Sequence, residues 1–195
     1  MTTSDMTGAA QRTTTTRTQR ALRWLPSFVG FPIGGFIAEL IVGPIDAVGA
    51  GLIGGAISGV ILGAAQAWSL GWTGAAARRW TLATGLGFAG GIAIGAAAVD
   101  YGTSMGDFAV QGALCGLVVG AAQAVVLRSR LGRGAALWAP ALGALWALGW
   151  VVSTAIGVDV DRQWTVFGAS GAITVTVATA VLPVLLAERG HRGPS

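Results

Sequence analysis

The sequence predicts an all-α integral membrane protein: six transmembrane helices, arranged as three glycine-rich helical hairpins in a compact pseudo-threefold bundle. Three observations carry this expectation. Of 195 residues, 53% are hydrophobic and 10% charged, against roughly 25% charged in an ordinary globular chain. Six apolar runs approach the ~20 residues needed to cross a bilayer. Finally, glycines recur every fourth residue, most regularly at Gly51, Gly55, Gly59 and Gly63 within GLIGGAISGVILGAAQA. Residues four apart share one helix face, so these glycines reduce that face to backbone. In lipid, where apolar side chains gain little from meeting one another, such a groove is what lets a second helix pack closely.

Residues 1–23 combine TTTT with Arg12, Arg17, Arg20 and Arg23. So little apolar surface predicts a disordered basic tail. A membrane domain over 24–187 follows, with spans at about 25–43, 47–68, 81–99, 108–127, 137–158 and 164–187, and the chain closes with a polar tail at 188–195. Five spans carry no charge at all, and Glu39 in the first is the exception. A signal peptide is the competing reading of the start, with Val48-Gly49-Ala50 as a small-residue cleavage site. The internal repeat argues against it.

That repeat divides the domain at about 24–79, 80–137 and 138–187. Trp24, Trp80 and Trp138 stand at the starts of the odd spans, each followed eleven residues later by Gly35, Gly91 or Gly149. Ser58-Gly59, Cys115-Gly116 and Ser170-Gly171 match in the even spans, and GAAQA occurs at both 63–67 and 120–124. A period of this size marks internal duplication. With two spans per copy, the axis relating the copies should lie along the membrane normal. The fourth span repeats the small-residue face with Gly112, Gly116 and Gly120, whereas the sixth substitutes Thr174, Thr176 and Thr179 and carries Pro183. Threonine hydroxyls are expected to help satisfy the carbonyl that the proline frees.

All twelve basic residues are arginine, and all but Arg162 fall in the tails or in the loops holding Arg78, Arg79, Arg128, Arg130 and Arg133. The alternate loops hold Asp46, Asp100, Asp107, Asp159 and Asp161. By the positive-inside rule both termini are cytoplasmic. The absence of lysine and the abundance of Ala and Gly point to a high-GC bacterial genome, hence a bacterial plasma membrane. The expected partners are the lipid bilayer and a second copy or another membrane protein. Nucleic acid is not expected, because the arginines follow topology rather than one basic face.

Tryptophans at span edges, Trp24, Trp68, Trp72, Trp80, Trp138 and Trp164, are expected in the headgroup zone; Trp146 and Trp150 share a deeper face, to lipid or to packing. Glu39 is the one acid inside a span. It lies only about 6 Å from the outer helix end at 1.5 Å per residue, shallow enough to pair with Arg162 and close the ring on its outer face. Gln66 and Gln123 hold matching positions and should hydrogen-bond between helices; the third equivalent position is Ala178, which breaks any glutamine ring. Leu62→Ala is expected to be mild beside Gly59→Leu.

Catalytic constellations are lacking: His191 is the single histidine, in the C-terminal tail, and Cys115 the single cysteine. No cofactor is expected. Outer-loop acids offer at most weak divalent-cation ligands. The leading expectation is therefore a non-enzymatic scaffold or accessory subunit working through helix packing. A small-solute or ion transporter with a path along the repeat axis is the alternative.

Overall fold

A computed structural model describes residues 17–157 and 169–190. It is all-helical. Helix α1 (Arg17–Val42) contains a 3-10 segment at Leu25–Val29, where Pro26 removes a backbone donor. Then come α2 (Val48–Ser69), α3 (Gly74–Ala98), α4 (Met105–Leu131), a 3-10 turn at Gly132–Leu137, α5 (Trp138–Ala155), α6 (Ala169–Thr179) and α7 (Val181–Gly190). From Arg17 on, the stretch expected as tail is already helical. Arginine is a good helix former and can lay its stem along apolar surface while its charge stays in water.

Four helical stretches are long and apolar enough to cross a membrane: Arg17–Val42, Val48–Ser69, Gly74–Ala98 and Met105–Ala155. A shorter apolar helix covers Gly171–Leu186. This is fewer than the six spans expected, for two local reasons. The expected fourth and fifth spans run together through the 3-10 turn, where Gly132 takes φ +57° and its N–H returns to the Arg128 carbonyl. The sixth is interrupted at Ala180, because Pro183 has no N–H to offer the Thr179 carbonyl. The Thr179 hydroxyl donates instead to the Val175 carbonyl at 2.8 Å, within its own helix.

Glycine faces set the packing. A Cβ added to Gly51, Gly55, Gly59 or Gly63 would meet the backbone of Ala93, Phe88, Gly85 or Thr81 at 3.0 Å or less, so α2 and α3 run antiparallel in backbone contact. Gly116 and Gly120 meet Leu142 and Ala139 in the same manner, and Gly112 meets Trp146 and Trp150. The 51-residue stretch therefore folds back on itself, α4 against α5. Gly87, Gly91 and Gly95 of α3 face Val119, Cys115 and Gln111 of α4. The most extensive packing, α2 on α3 and α4 on α5, lies across the boundaries of the expected repeat hairpins rather than within them. Consecutive helices from α1 to α6 are neighbours, and α6 returns to α1.

Three layers stack along the bundle. Trp24, Trp80, Leu127, Leu131 and Leu182 fill the arginine-rich end. Phe31, Leu62, Phe88, Val119, Trp146 and Val175 fill the middle. Ala38, Ile45 and Ala96 form a smaller cluster at the opposite end, reached through the turn at Gly43, whose φ of +74° suits glycine. Leu, Ile and Val side chains such as Leu40, Ile41, Leu86 and Val125 cover the exterior.

Candidate functional site: two buried polar layers

Gln66 and Gln123 meet inside the bundle. Each helix carries its amide inward because the glycine face beside it, ending at Gly63 or Gly120, brings the neighbouring backbone close. Trp138 Nε1 donates to Gln123 Oε1 at 2.7 Å, and Trp80 Nε1 donates to Gln66 Oε1 at 3.0 Å. An indole N–H can only donate, so both amide oxygens are fixed facing the indoles. Gln123 Nε2 is then aimed at Gln66 Oε1 (3.3 Å) and Thr84 Oγ1 (3.0 Å). The Thr84 hydroxyl in turn donates to the Trp80 carbonyl at 2.9 Å. One connected network thus ties together α2, α3, α4 and α5.

Trp24 completes the set. Its Nε1 donates to Thr179 Oγ1 at 3.0 Å, joining α1 to α6. The expected third position, Ala178, was one residue away from the side chain that accepts. Trp24 and Trp80 are 1% and 0% exposed, so these two are interior donors and not headgroup anchors. Trp68, 70% exposed, does sit outside.

The second layer surrounds a cavity of about 50 Å³ in the middle of the bundle, room for a few water molecules at most. Phe31, Leu62, Phe88, Trp146 and Trp150 contribute most of the wall, with Ile45 reaching it from the α1–α2 turn. The Trp146 ring stands edge-on to Phe31 (5.7 Å) and Phe88 (4.8 Å), and Trp150 stacks on Phe108 at 4.7 Å. Trp146 and Trp150 are buried packing residues, and the lipid-facing alternative fails for both. Ser58 reaches the cavity but its hydroxyl donates to the Gly34 carbonyl at 3.1 Å. Gln111 also lines it, 6% exposed, and its amide makes no side-chain hydrogen bond among the described residues.

Leu62 lies one helical turn from Gln66, between the two layers, and is 1% exposed. Gln66, Gln123 and Ser58 consequently do not converge on one hydrated space. Glu39 is half-buried in the last turn of α1, where its carbonyl accepts from Gly43 N–H at 2.9 Å. Its expected partner Arg162, with Asp159, Asp161 and Trp164, lies outside the described residues. At the start of α4, Ser104 Oγ accepts from Asp107 N–H (3.2 Å) and Asp107 Oδ2 accepts from Ser104 N–H (3.0 Å), a capping box. The Asp107 carboxylate is thereby engaged at the helix start. Cys115 is buried against Gly91.

Sequence reasoning named Gln66 and Gln123 but passed over Thr84 and Gln111. Gln111 had a legible signal: an amide within an apolar run, four residues before Cys115 and so on the same face. Thr84 had none, since threonine in an apolar helix commonly bonds its own preceding turn.

No protein family, curated protein or solved structure matches this chain.

Proposed function

We propose that this chain is a non-enzymatic membrane scaffold or accessory subunit, acting through a rigid, self-packed bundle. The observation that carries this reading is the Trp138–Gln123–Gln66–Trp80 network with Thr84, in which interior polar groups that a permeating solute would need are bonded to one another. Crosslinking in native membranes is expected to give a reproducible partner or a homo-oligomer. Recovery of monomer alone overturns the proposal.

The same reading includes six membrane crossings in a bacterial plasma membrane, with α6 and α7 together forming the last, and both termini cytoplasmic. The three tryptophan bonds support a cyclic arrangement: Trp80 reaches back to α2, Trp138 to α4 and Trp24 to α6, each an odd span donating to an even one. Cysteines replacing Ser104 and Gln163 should react with a membrane-impermeant thiol reagent in intact cells, and cysteines replacing Ala76 and Gly132 should not. The inverse pattern refutes the orientation.

A second reading, binding or transport of a small neutral solute, draws on the Gln111 amide facing the central cavity. Solute uptake by proteoliposomes, abolished by Gln111→Leu, would establish it over the scaffold.

A further inference from the structure

At the arginine-rich end lies a second cavity of about 230 Å³, formed where the start of α1, the α2–α3 turn, the end of α4 and α7 come together. Three arginines line it: Arg20 and Arg23, which share a face of α1 at a spacing of three, and Arg130 from the last turn of α4. Among the described residues its lining contains no carboxylate. Of the acids whose side chains are described, Asp46, Asp100 and Asp107 stand at the opposite helix ends, and Glu39 is in the last turn of α1, whereas Arg20 and Arg23 are near its beginning. Three like charges gathered with no counter-charge among the described residues favour an anion.

A second, independent observation points into the same cavity. Ser69 is 5% exposed, and its Oγ is the one side-chain polar atom found fully buried without a hydrogen-bond partner among the described residues. A buried hydroxyl left unpaired is costly, and the expected remedy is a partner from outside the chain. Ser69 lines this cavity beside the arginines. Two of the arginines lie against the α2–α3 turn. The Arg130 guanidinium lies 4.4 Å from the centre of the Trp72 ring. Arg23 extends over the turn at Gly71, its terminal nitrogen 3.7 Å from where a Cβ there would stand.

From this geometry we infer a binding site for a phosphate group, delivered by an anionic phospholipid headgroup. Guanidinium forks match phosphate oxygens in pairs, and the Ser69 hydroxyl can donate to a remaining oxygen. The rest of the wall, Leu70, Trp72, Pro183 and Leu186, is largely apolar, which suits the glycerol and upper acyl region and not a free ion. Exposed Trp68 stands at this end of the bundle, and indoles at span edges favour headgroups. Basic pockets between membrane helices recognise anionic headgroups by this combination of charge and apolar wall.

The test uses the purified full chain in phosphatidylcholine nanodiscs, with and without phosphatidylglycerol, and separately with inorganic phosphate. Native mass spectrometry is expected to show retained phosphatidylglycerol, and its presence should raise the unfolding temperature. Arg20→Gln with Arg23→Gln should weaken retention roughly tenfold or more, as expected for lost charge-assisted bonds. Arg130→Lys keeps the charge but gives up the planar fork, and should weaken it less. Ser69→Ala separates ligand from structure: it should leave the lipid-free protein as stable or more so, while shrinking the stabilisation by phosphatidylglycerol. Equal stabilisation by inorganic phosphate alone would overturn the lipid source and assign the pocket to a soluble phosphate. Retention unchanged in folded arginine variants, or no preference over phosphatidylcholine, would overturn the site.

Discussion

Gln123 and Gln111 are the same residue type on the same helix, twelve positions apart, and their environments are opposite. Gln123 accepts from an indole and donates to an amide and a hydroxyl. Gln111 faces a small cavity walled by aromatic rings and makes none of these bonds. The difference lies in what the neighbouring helices bring to each level. Around Gln123 they supply Trp80, Trp138, Thr84 and Gln66, donors and acceptors in complementary number. Around Gln111 they supply Phe88, Trp146 and Trp150, packed as rings. A polar residue within an apolar helix is therefore a structural link or an available ligand according to its partners, and its identity alone does not decide which.

Both layers depend on backbone contact, so the largest disruption should come from filling a glycine groove. Gly116→Leu would drive a side chain into the Leu142 carbonyl, which a Cβ alone already meets at 2.5 Å. Loss of the folded bundle, or destabilisation of about 3 kcal/mol or more, is expected for such overpacking, measured by denaturant unfolding in detergent. Gly90→Ala, whose Cβ would meet Val118 at a comfortable 3.7 Å, should change little. Equal stability of the two variants would remove glycine packing from the account. Leu62→Ala is no mild control, since Leu62 is buried between the two layers; Leu86→Ala, on an exposed position, serves better.

Next in size is the comparison of the two amides. Gln123→Leu strands the Trp138 N–H and loosens Gln66 and Thr84, and should cost about 2–4 kcal/mol at ~1–3 kcal/mol per buried group left unpaired. Gln111→Leu should fall within about 0.5 kcal/mol of the parent, or stabilise it, because no bond is lost. Smaller again, Trp24→Phe removes one bond to Thr179 and should cost about 1 kcal/mol, read from the shift in unfolding midpoint. Smallest is Ser104→Ala, which removes one half of the capping box at an exposed helix start, for about 0.5–1 kcal/mol.

Much of the fold was legible because long apolar helices leave a simple pattern in the sequence. Apolar runs located the helices, and a Cβ added at Gly51, Gly55, Gly59 or Gly63 would meet neighbouring backbone. The helix count was less legible, since the 3-10 turn at Gly132–Leu137 keeps two segments in one helical stretch and Pro183 shortens the last. Placement of the indoles was misread for a physical reason. A tryptophan at a span edge satisfies its N–H equally well with water or with a buried acceptor, and only the fold brings Thr179 to Trp24 or Gln66 to Trp80. The arginine pocket was invisible for the same reason. Arg20, Arg23, Ser69 and Arg130 come from three distant segments, and each alone reads as a topology signal or a small residue.

The central claim is that the inner polar layer acts as one locked unit, and a double-mutant cycle tests it most directly. Gln66→Leu, Gln123→Leu and the double variant are to be unfolded under identical conditions. Once one amide is gone the network has already lost its continuity, so the second substitution should cost less than it does alone. The expected coupling is about 0.5–1.5 kcal/mol, the scale of interhelical hydrogen bonds in lipid. Strictly additive losses would contradict the account and leave the two glutamines as separate polar residues.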